Sequence, residues 1–274
     1  MKNLPAESDN GFVQTSGMII TKKMFLPVKV YILVLAVVWS VAAQGGPARI
    51  FLGFAAGDES SVLPEGWEHL TYIGKNENGI ALAQEGSRTV VHMTSLHSVS
   101  ALLKQLNVKG ESPVDPAEYP VLVWCWKVSR SVGMAIENRK DRNDSAARVR
   151  VIFGPGQAPV VRSPEVEKLV KYLGLPVPAA EPAGFKIDYI WGTRAAQGEI
   201  LEYPGKRNHK MLVVQRGDDK ASKWIWEQRN LVDDFRQCFN ADPPEITAVA
   251  VLTDTDQTNE GVEAWYSSLV LLKE

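Results

Sequence analysis

The sequence contains few residues of the kinds that bind zinc. Of its 274 residues two are cysteine and four are histidine, and the histidines, at positions 69, 92, 97 and 209, lie far apart along the chain. A structural zinc site needs four such ligands, usually with closely spaced pairs. No zinc site is therefore predicted.

The two cysteines, Cys125 and Cys238, leave two interpretations open. In an oxidising compartment an even pair can form a disulfide, whereas two separate buried thiols behave as small hydrophobic residues. Spacing along the chain cannot decide whether their Cα atoms lie within the ~6 Å that a disulfide requires.

Motifs for nucleophilic catalysis and nucleotide binding are absent. The sequence contains no GxSxG, HExxH, Walker or dinucleotide-binding pattern, each of which has a known chemical role. The absence of these motifs favours a binding or structural protein over an enzyme.

Charge of neither sign predominates. Removing the four lysines and two acidic residues that precede Gln44 leaves 26 basic and 30 acidic residues, a net charge of −4. Nucleic-acid-binding domains usually carry a strongly basic patch, and a membrane-surface helix needs a basic polar face. We therefore expect neither nucleic acid nor a membrane surface as a partner.

A short apolar run near the N-terminus predicts export. Residues 30–43 read VYILVLAVVWSVAA and follow three lysines between positions 22 and 29. A basic flank, an apolar run of this length and small residues at the cut, here Val41 and Ala43, are typical of a secretory signal peptide. A membrane-spanning helix needs ~20 apolar residues, so an uncleaved anchor is the weaker alternative, and no span is expected after cleavage.

These features divide the chain into three parts. Residues 1–23 are polar and aperiodic, and we assign them to a disordered extension or to translation from an upstream start. Residues 24–43 form the signal peptide. Residues 48–274 form one domain, because the strands after the Pro-rich stretch 176–182 are too few to fold alone.

Short apolar or alternating runs dominate this domain. They are rich in Val, Ile and aromatic residues and are bounded by Gly, Pro, Asn or Asp, which predicts strands. Some ten strands in one chain predict an all-β fold, an antiparallel two-sheet sandwich with minor helices. The predicted strands are 48–54, 80–83, 89–94, 121–128, 148–153, 185–191, 211–215, 224–226, 246–253 and 264–272.

Two helices are predicted to pack on the sandwich. The first begins at Ser163-Pro164, a favourable N-cap and first turn, and ends at Gly174. The second follows Asn230, carries apolar residues at every fourth position, and stops before Pro243. Both helices are apolar on one side only, which is typical of packing on a core.

Three of the strands, 121–128, 148–153 and 185–191, are expected to form one antiparallel sheet. Side chains alternate along a strand, so Val149, Val151 and Phe153 would face the core while Arg148 and Arg150 face outward. If Arg148, Arg150 and Ile152 faced the core instead, Arg148 would be a functional candidate, because a buried charge needs a partner.

Aromatic pairs on three strands suggest a ligand-binding face. An exposed row of rings could stack on sugars, whereas large aromatic residues more often fill a core. The pairs are Trp124 with Trp126, Tyr189 with Trp191, and Trp224 with Trp226. The ligand-binding candidates are Trp124, Trp126, Lys127, Arg148, Tyr189, Trp191 and Arg229, the charged members being either a polar floor or solvated surface groups.

The segment 254–259 (DTDQTN) is a candidate metal site. Carboxylates at alternate positions, here Asp254 and Asp256, can converge on a hard cation such as calcium. The alternative is an Asp-rich turn whose side chains accept hydrogen bonds from backbone amides.

The chain also resembles a bacterial family called domain of unknown function 3047. The resemblance rests on segments 119–128, 144–153, 187–191, 226–239 and 246–266, preceded by LPEGW at 63–67. It implies a jelly-roll sandwich similar to galactose-binding domains and carbohydrate-binding modules, and by fold analogy alone it implies sugar binding. Cys125 stands where the family usually has Arg, which favours the disulfide, and Ser267-Ser268 replaces the usual Gly-Asp. A family site that uses that Arg or Asp would be altered here.

We therefore expect a periplasmic or secreted protein that binds a carbohydrate or another envelope component without catalysis. One alternative is a glycan hydrolase, which needs two carboxylates ~5–9 Å apart; the candidates are Glu227, Asp234, Asp254 and Asp256. The other alternative is a structural scaffold of an envelope complex.

We predict that the signal peptide is cleaved between Ala43 and Gln44, because small residues precede that bond. N-terminal sequencing of protein recovered from the envelope fraction is expected to begin at Gln44. A recovered chain that begins at Met1 or Met24 would contradict this prediction.

Overall fold

The computed structural model describes residues 48–54, 63–106, 114–154, 168, 172 and 183–273. These residues belong to one compact unit, Pro47–Glu274. The predicted N-terminal extension, the predicted signal peptide and the first predicted helix lie outside the described residues, apart from Lys168 and Tyr172, which are helical.

Fourteen strands and one helix are found in the described residues. In chain order they are β1 (Arg49–Leu52), β2 (Glu68–Thr71), β3 (Gly79–Glu85), β4 (Arg88–Leu96), β5 (Val99–Gln105), β6 (Val121–Val128), β7 (Ser145–Phe153), β8 (Phe185–Gly192), β9 (Ile200–Tyr203), β10 (Lys206–Arg216), β11 (Ile225–Asn230), α1 (Leu231–Phe239), β12 (Ile246–Asp254), β13 (Gly261–Tyr266) and β14 (Leu269–Leu272). Each of the ten predicted runs coincides with at least one strand, whereas β2, β5 and β9 were not predicted.

The strands form two seven-stranded sheets. The first has the order β1-β14-β6-β13-β4-β3, with β11 on the other side of β6, and the second has the order β2-β5-β12-β7-β8-β10-β9. All pairs are antiparallel except β8 with β10. These two strands are parallel because β9, which comes between them in the sequence, runs in the opposite direction on the far side of β10. The predicted all-β antiparallel sandwich is confirmed.

The prediction that strands 121–128, 148–153 and 185–191 share one sheet was wrong. β7 and β8 are antiparallel neighbours in the second sheet, but β6 belongs to the first sheet. β6 instead faces β8 across the core, where the ring centroids of Trp124 and Tyr189 are 5.2 Å apart. Two strands with apolar faces can bury those faces either as neighbours in one sheet or from two sheets that face each other. The alternation pattern is the same in both cases, so it could not distinguish them.

The predicted alternation in β7 is correct, but its outward face is not solvated. Val149, Val151 and Phe153 lie in the core between the sheets, and Arg148 and Arg150 lie on the opposite face, where they are only 1% and 4% exposed. Arg148 is therefore buried on the outward face and not on the inward one, and its charge needs a partner there.

Helix α1 confirms the second predicted helix. The side chain of Asn230 caps it by accepting hydrogen bonds from the amides of Val232 and Asp233, and Asn240 ends it in the left-handed conformation. Phe235 and Phe239 pack edge-on against Phe185 of β8, so the helix covers the apolar end of the second sheet. None of the described helical residues forms a helix long and apolar enough to cross a membrane.

Candidate functional site

A groove crosses the outer face of the second sheet. Its floor comes from the central strands β5, β12 and β7, and its two walls come from the chain after β2 and from the β9–β10 turn, at opposite edges of the sheet. The cavity measures about 120 Å³. We call it the groove, and it is lined by Tyr72, Lys75, Val99, Arg148, Arg150, Tyr203, Lys206, Leu252, Asp254, Asp256 and Gln257.

The floor of the groove is a buried ionic network centred on Asp188. Arg150 lies directly opposite Asp188 in the β7–β8 ladder, and its Nε and Nη2 donate to the two carboxylate oxygens at 2.6 and 2.7 Å. Arg148 Nη1 lies 3.5 Å from the same carboxylate, and His209 Nε2 lies 3.0 Å from it. One carboxylate thus orients three basic side chains.

The electrostatics of Asp188 follow from these partners. Burial alone would raise its pKa, but the charges of Arg150 and His209 outweigh burial and hold the pKa of Asp188 well below its usual value. The carboxylate is therefore ionised at neutral pH, as a bidentate partner of a guanidinium must be.

Tyr203 forms one wall of the groove and is held from behind. Its ring stacks on His209 with centroids 4.2 Å apart and planes 6° from parallel, and the Arg148 guanidinium lies 6.0 Å from the ring centroid. Burial also raises the pKa of Tyr203, so its hydroxyl stays protonated. Tyr72 lines the opposite wall.

Three buried carboxylates converge at one end of the groove. Asp144 joins the predicted pair Asp254 and Asp256, and oxygens of all three lie within 4.8 Å of one another. Burial and the neighbouring carboxylates raise the pKa of Asp254 well above its usual value, and Arg148, whose Nη2 is 3.1 Å from Asp254 Oδ2, offsets only part of this. Among the described residues, these three aspartates are the one group of His, Cys, Asp or Glu side chains that lies close enough together to hold a metal ion.

Each of these carboxylates already has a partner within the protein. Lys75 Nζ contacts Asp256, Arg148 contacts Asp254, and Asp144 accepts hydrogen bonds from the amides of Gln257 and Thr258. The amides of the turn are thus hydrogen-bonded to a carboxylate, as the turn interpretation expects. The same carboxylate, Asp144, is also a third possible oxygen ligand for the metal interpretation.

The predicted row of exposed rings is not formed by the β6 and β8 pairs. Trp124, Trp126, Tyr189 and Trp191 are at most 1% exposed and contact one another across the core, with Trp126 and Trp191 5.8 Å apart. The more common fate of large aromatic residues, core packing, applies to all four. Of the remaining pair, Trp226 is 53% exposed.

Lys127 lies on the outer face of the first sheet, away from the groove. Its Nζ is 4.3 Å from the Trp265 ring centroid and 5.2 Å from that of Trp224, and it donates to Glu85 at 2.8 Å. Trp265 stacks on His92 at 4.6 Å on its other side. Both faces of the Trp265 ring are therefore occupied by the protein itself.

Arg229 lies at the open edge between the sheets and pairs with Asp234. Its Nε donates to Asp234 Oδ2 at 2.9 Å, and the same oxygen accepts a hydrogen bond from the Tyr189 hydroxyl at 2.8 Å. Asp234 is only 1% exposed, so this hydrolase candidate is fully engaged in a structural contact.

The predicted disulfide is not formed, because Cys125 and Cys238 are both free and buried. Burial raises the pKa of each thiol to about 12, so both stay protonated and unreactive. The alternative, two independent small hydrophobic residues, is the one that the structure adopts.

Sequence reasoning identified Arg148, Asp254 and Asp256 but missed most of the groove. Arg150, Asp188 and Tyr203 were not candidates, although a charge inside the apolar run 185–191 (FKIDYIW) is a usable signal. A charged residue in a strand that is buried on both faces needs a cross-strand partner. Arg150 is that partner.

One family matches the chain. The family described as "Protein of unknown function (DUF3047)" matches residues 65–270. This chain belongs to the DUF3047 family. The resemblance noted in the sequence is therefore confirmed, and the comparison with curated proteins finds no match.

Several solved structures share part of the DUF3047 chain's architecture. A family 29 carbohydrate-binding module, solved as a mutant with cellulohexaose, is 9% identical, with 83% of this chain and 92% of that chain covered and a TM-score of 0.34. A family 30 carbohydrate-binding module from a Clostridium thermocellum cellulosomal cellulase is 9% identical, with 83% and 98% covered and a TM-score of 0.36. Similarity at this level carries no information on what this chain binds.

We expect Asp188→Asn to lower the free energy of unfolding by about 3–5 kcal/mol, because it leaves two buried guanidinium groups without their shared counter-charge. The matched control is Asp141→Asn, since Asp141 makes the same bidentate contact with Arg139 but on the exposed surface, where ion pairs contribute little. Urea unfolding measures both variants. Equal effects of the two substitutions would contradict the buried network.

We expect calcium and chelator to give the same melting midpoint, because Lys75 and Arg148 already compensate the carboxylates that would bind the ion. Lys75→Met, which removes the cation on Asp256, is expected to create a calcium response. Calcium at a hundredfold above its Kd would then add about 2.7 kcal/mol. A calcium-dependent midpoint in the unaltered protein would instead support the metal site.

Proposed function

We propose that this DUF3047 protein is an exported, non-catalytic carbohydrate-binding protein that holds its ligand in the groove. The observation that carries the proposal is the buried ionic floor of Arg148, Arg150, Asp188 and Asp254 beneath a cavity with a tyrosine on each wall.

The energetic cost of this floor is an argument for function. Removing an ion from water costs several kcal/mol, and well-packed apolar residues in its place are often neutral or stabilising. Two apolar clusters already occupy this face of the sheet on either side of the network, one around Leu252 and one around Ile190. A third apolar patch would therefore have sufficed for folding, and the charges favour recognition of a polar ligand.

The groove suits hydroxyl groups in particular. Guanidinium and carboxylate groups held in fixed pairs offer donors and acceptors side by side, which matches neighbouring sugar hydroxyls. Tyr72 and Tyr203 line the groove, and the parts of their rings that border it offer contact to the C–H groups of a sugar ring. His209 stacks on one face of Tyr203, and Lys206 Nζ lies 5.0 Å from the centroid of that ring. A cavity of about 120 Å³ is small beside the ~300–1,000 Å³ of drug-sized sites, so we propose that it takes a single sugar residue of a glycan.

A glycan hydrolase acting in the same groove is the second candidate. The raised pKa of Asp254 is suitable for a general acid, and other carboxylate oxygens lie within 4.8 Å. Binding is the better-supported function, because Asp256 is paired with Lys75 and Asp144 accepts two backbone amides. No second carboxylate in this described cluster is therefore left to act as nucleophile or base.

Export is supported by the sequence of residues 30–43 alone. A mature protein outside the cytoplasm would meet the glycans of the envelope or the medium, which agrees with the proposed ligand. A scaffold of an envelope complex would need no charged groove, and for this reason we place it after the two ligand-based functions.

We expect the purified protein to bind a glycan on an array, and Tyr203→Ala to weaken that binding at least about tenfold, the effect of losing ~1.4 kcal/mol. The matched control is Tyr172→Ala, because Tyr172 is 87% exposed and is not among the groove residues. Calorimetric titration with the glycan from the array measures both variants.

Two outcomes would contradict binding in the groove: no glycan bound on the array, or equal affinity of the Tyr203→Ala variant. New reducing ends that appear when the unaltered protein is incubated with the glycan, and that are lost in Asp254→Asn, would establish the hydrolase instead.

A further inference from the structure

We infer that the cleft at the open edge between the two sheets is a second ligand site, for a small hydroxyl-rich molecule that carries an ammonium group. The edge cleft lies between β10 of the second sheet and β11 of the first and has a volume of about 280 Å³, larger than the groove. The lining residues that the argument uses are Gln197, Leu212, Val214, Glu227, Arg229 and Gln237.

Glu227 is placed in the cleft by the alternation of β11. Glu227 and Arg229 lie on the inward face of this edge strand, opposite Trp124 and Leu122 of β6. The alternate residues Trp226 and Gln228 point outward and are exposed. An ionisable side chain on a face that otherwise packs against the core is costly unless something compensates it.

The Glu227 carboxylate is only half satisfied by the described residues. Gln215 Nε2 and Trp126 Nε1 donate to Oε1 at 2.8 and 3.3 Å, and both of these contacts use the same oxygen. Within the described part of the chain no Lys, Arg or His forms an ion pair with Glu227. Burial raises the pKa of Glu227 by more than its hydrogen bonds and the nearby cations lower it, as expected of a carboxylate with no ion-pair partner in direct contact.

The neighbouring Arg229 does not supply that counter-ion. It is held by Asp234 through two contacts, and Asp234 is fixed in turn by the Tyr189 hydroxyl. Arg229 and Asp234 therefore neutralise each other, and Glu227 leaves the edge cleft with an excess negative charge. Lys220 donates to Gln215 at 2.9 Å and is exposed to solvent. The charges of Lys220 and Arg229 lower the pKa of Glu227, but they do not outweigh its burial.

These groups define the class of the ligand. An ammonium group would supply the missing positive charge at Glu227, in a hydrogen bond stronger than a neutral one. The guanidinium of Arg229 and the amides of Gln197 and Gln237 are suited to hydroxyl groups, and Leu212 and Val214 offer apolar surface. An amino sugar combines all three features.

D-glucosamine and D-glucose are suitable probes, because they differ only in an ammonium group replacing one hydroxyl. Titrations at about pH 6, where an amine is protonated, are expected to show glucosamine binding at least about tenfold more tightly, the usual difference for a hydrogen bond to a charged group. Glu227→Gln is expected to abolish this preference.

Glu263→Gln is the matched control, because Glu263 contacts His92 on the first sheet and is remote from the lining of the cleft. Equal affinities of the two sugars in the unaltered protein, or no binding of either, would overturn the proposal without the use of any variant. Retention of the preference by Glu227→Gln would do so too, and that result would leave the groove proposal untouched, because Glu227 does not line the groove.

Discussion

The carboxylate of Asp188 fixes the groups around which the groove is built. It is fully buried, and it orients Arg150 in β7, Arg148 two residues away and His209 in β10. His209 in turn supports the ring of Tyr203. A single buried charge thus determines the positions of the floor and of one wall, and it does so because low-dielectric surroundings strengthen each of its contacts.

The two faces of the second sheet have different roles: the inner face forms the core, and the outer face carries the groove. On the inner face, tyrosine and tryptophan side chains pack against the first sheet and satisfy their polar atoms locally, as Trp191 does by donating to the carbonyl of Gly217. On the outer face, the same strands carry the arginines and Asp188. Because side chains alternate along each strand, β7 and β8 contribute to both layers, and a shift of register by one residue would bury the charges in the core.

Local patterns in the sequence were sufficient to predict eleven of the fourteen described strands, the sandwich and helix α1. The missed strand β9 is only four residues long, and the predicted run 264–272 is divided at Ser267-Ser268 into two strands, because these residues leave the ladder. Sheet membership of β6 could not be predicted, since it depends on long-range pairing rather than on periodicity.

In the candidate site, too, individual residues could be predicted from local patterns, whereas their arrangement depends on long-range pairing. Arg148 and Asp254 were both identified from the sequence, but as parts of different sites, one for a sugar and one for a metal. The β7–β12 ladder brings them together, with Leu252 opposite Arg148, and the register between strands some hundred residues apart leaves no local signal. The pairing of the two cysteines stayed open in the sequence for the same reason, because their separation depends on the packing of α1 and β6.

Because β10 runs parallel to β8, the chain has to reverse twice through β9 before β10 reaches its place beside β8. Such non-local pairing is slow to form compared with a hairpin. Among the described strands β9 pairs only with β10, so Tyr203 reaches the groove on an edge strand that one neighbour holds. Sub-global opening of that edge would remove one wall of the groove while the aromatic core stays closed. The binding surface could therefore become disordered without unfolding of the domain.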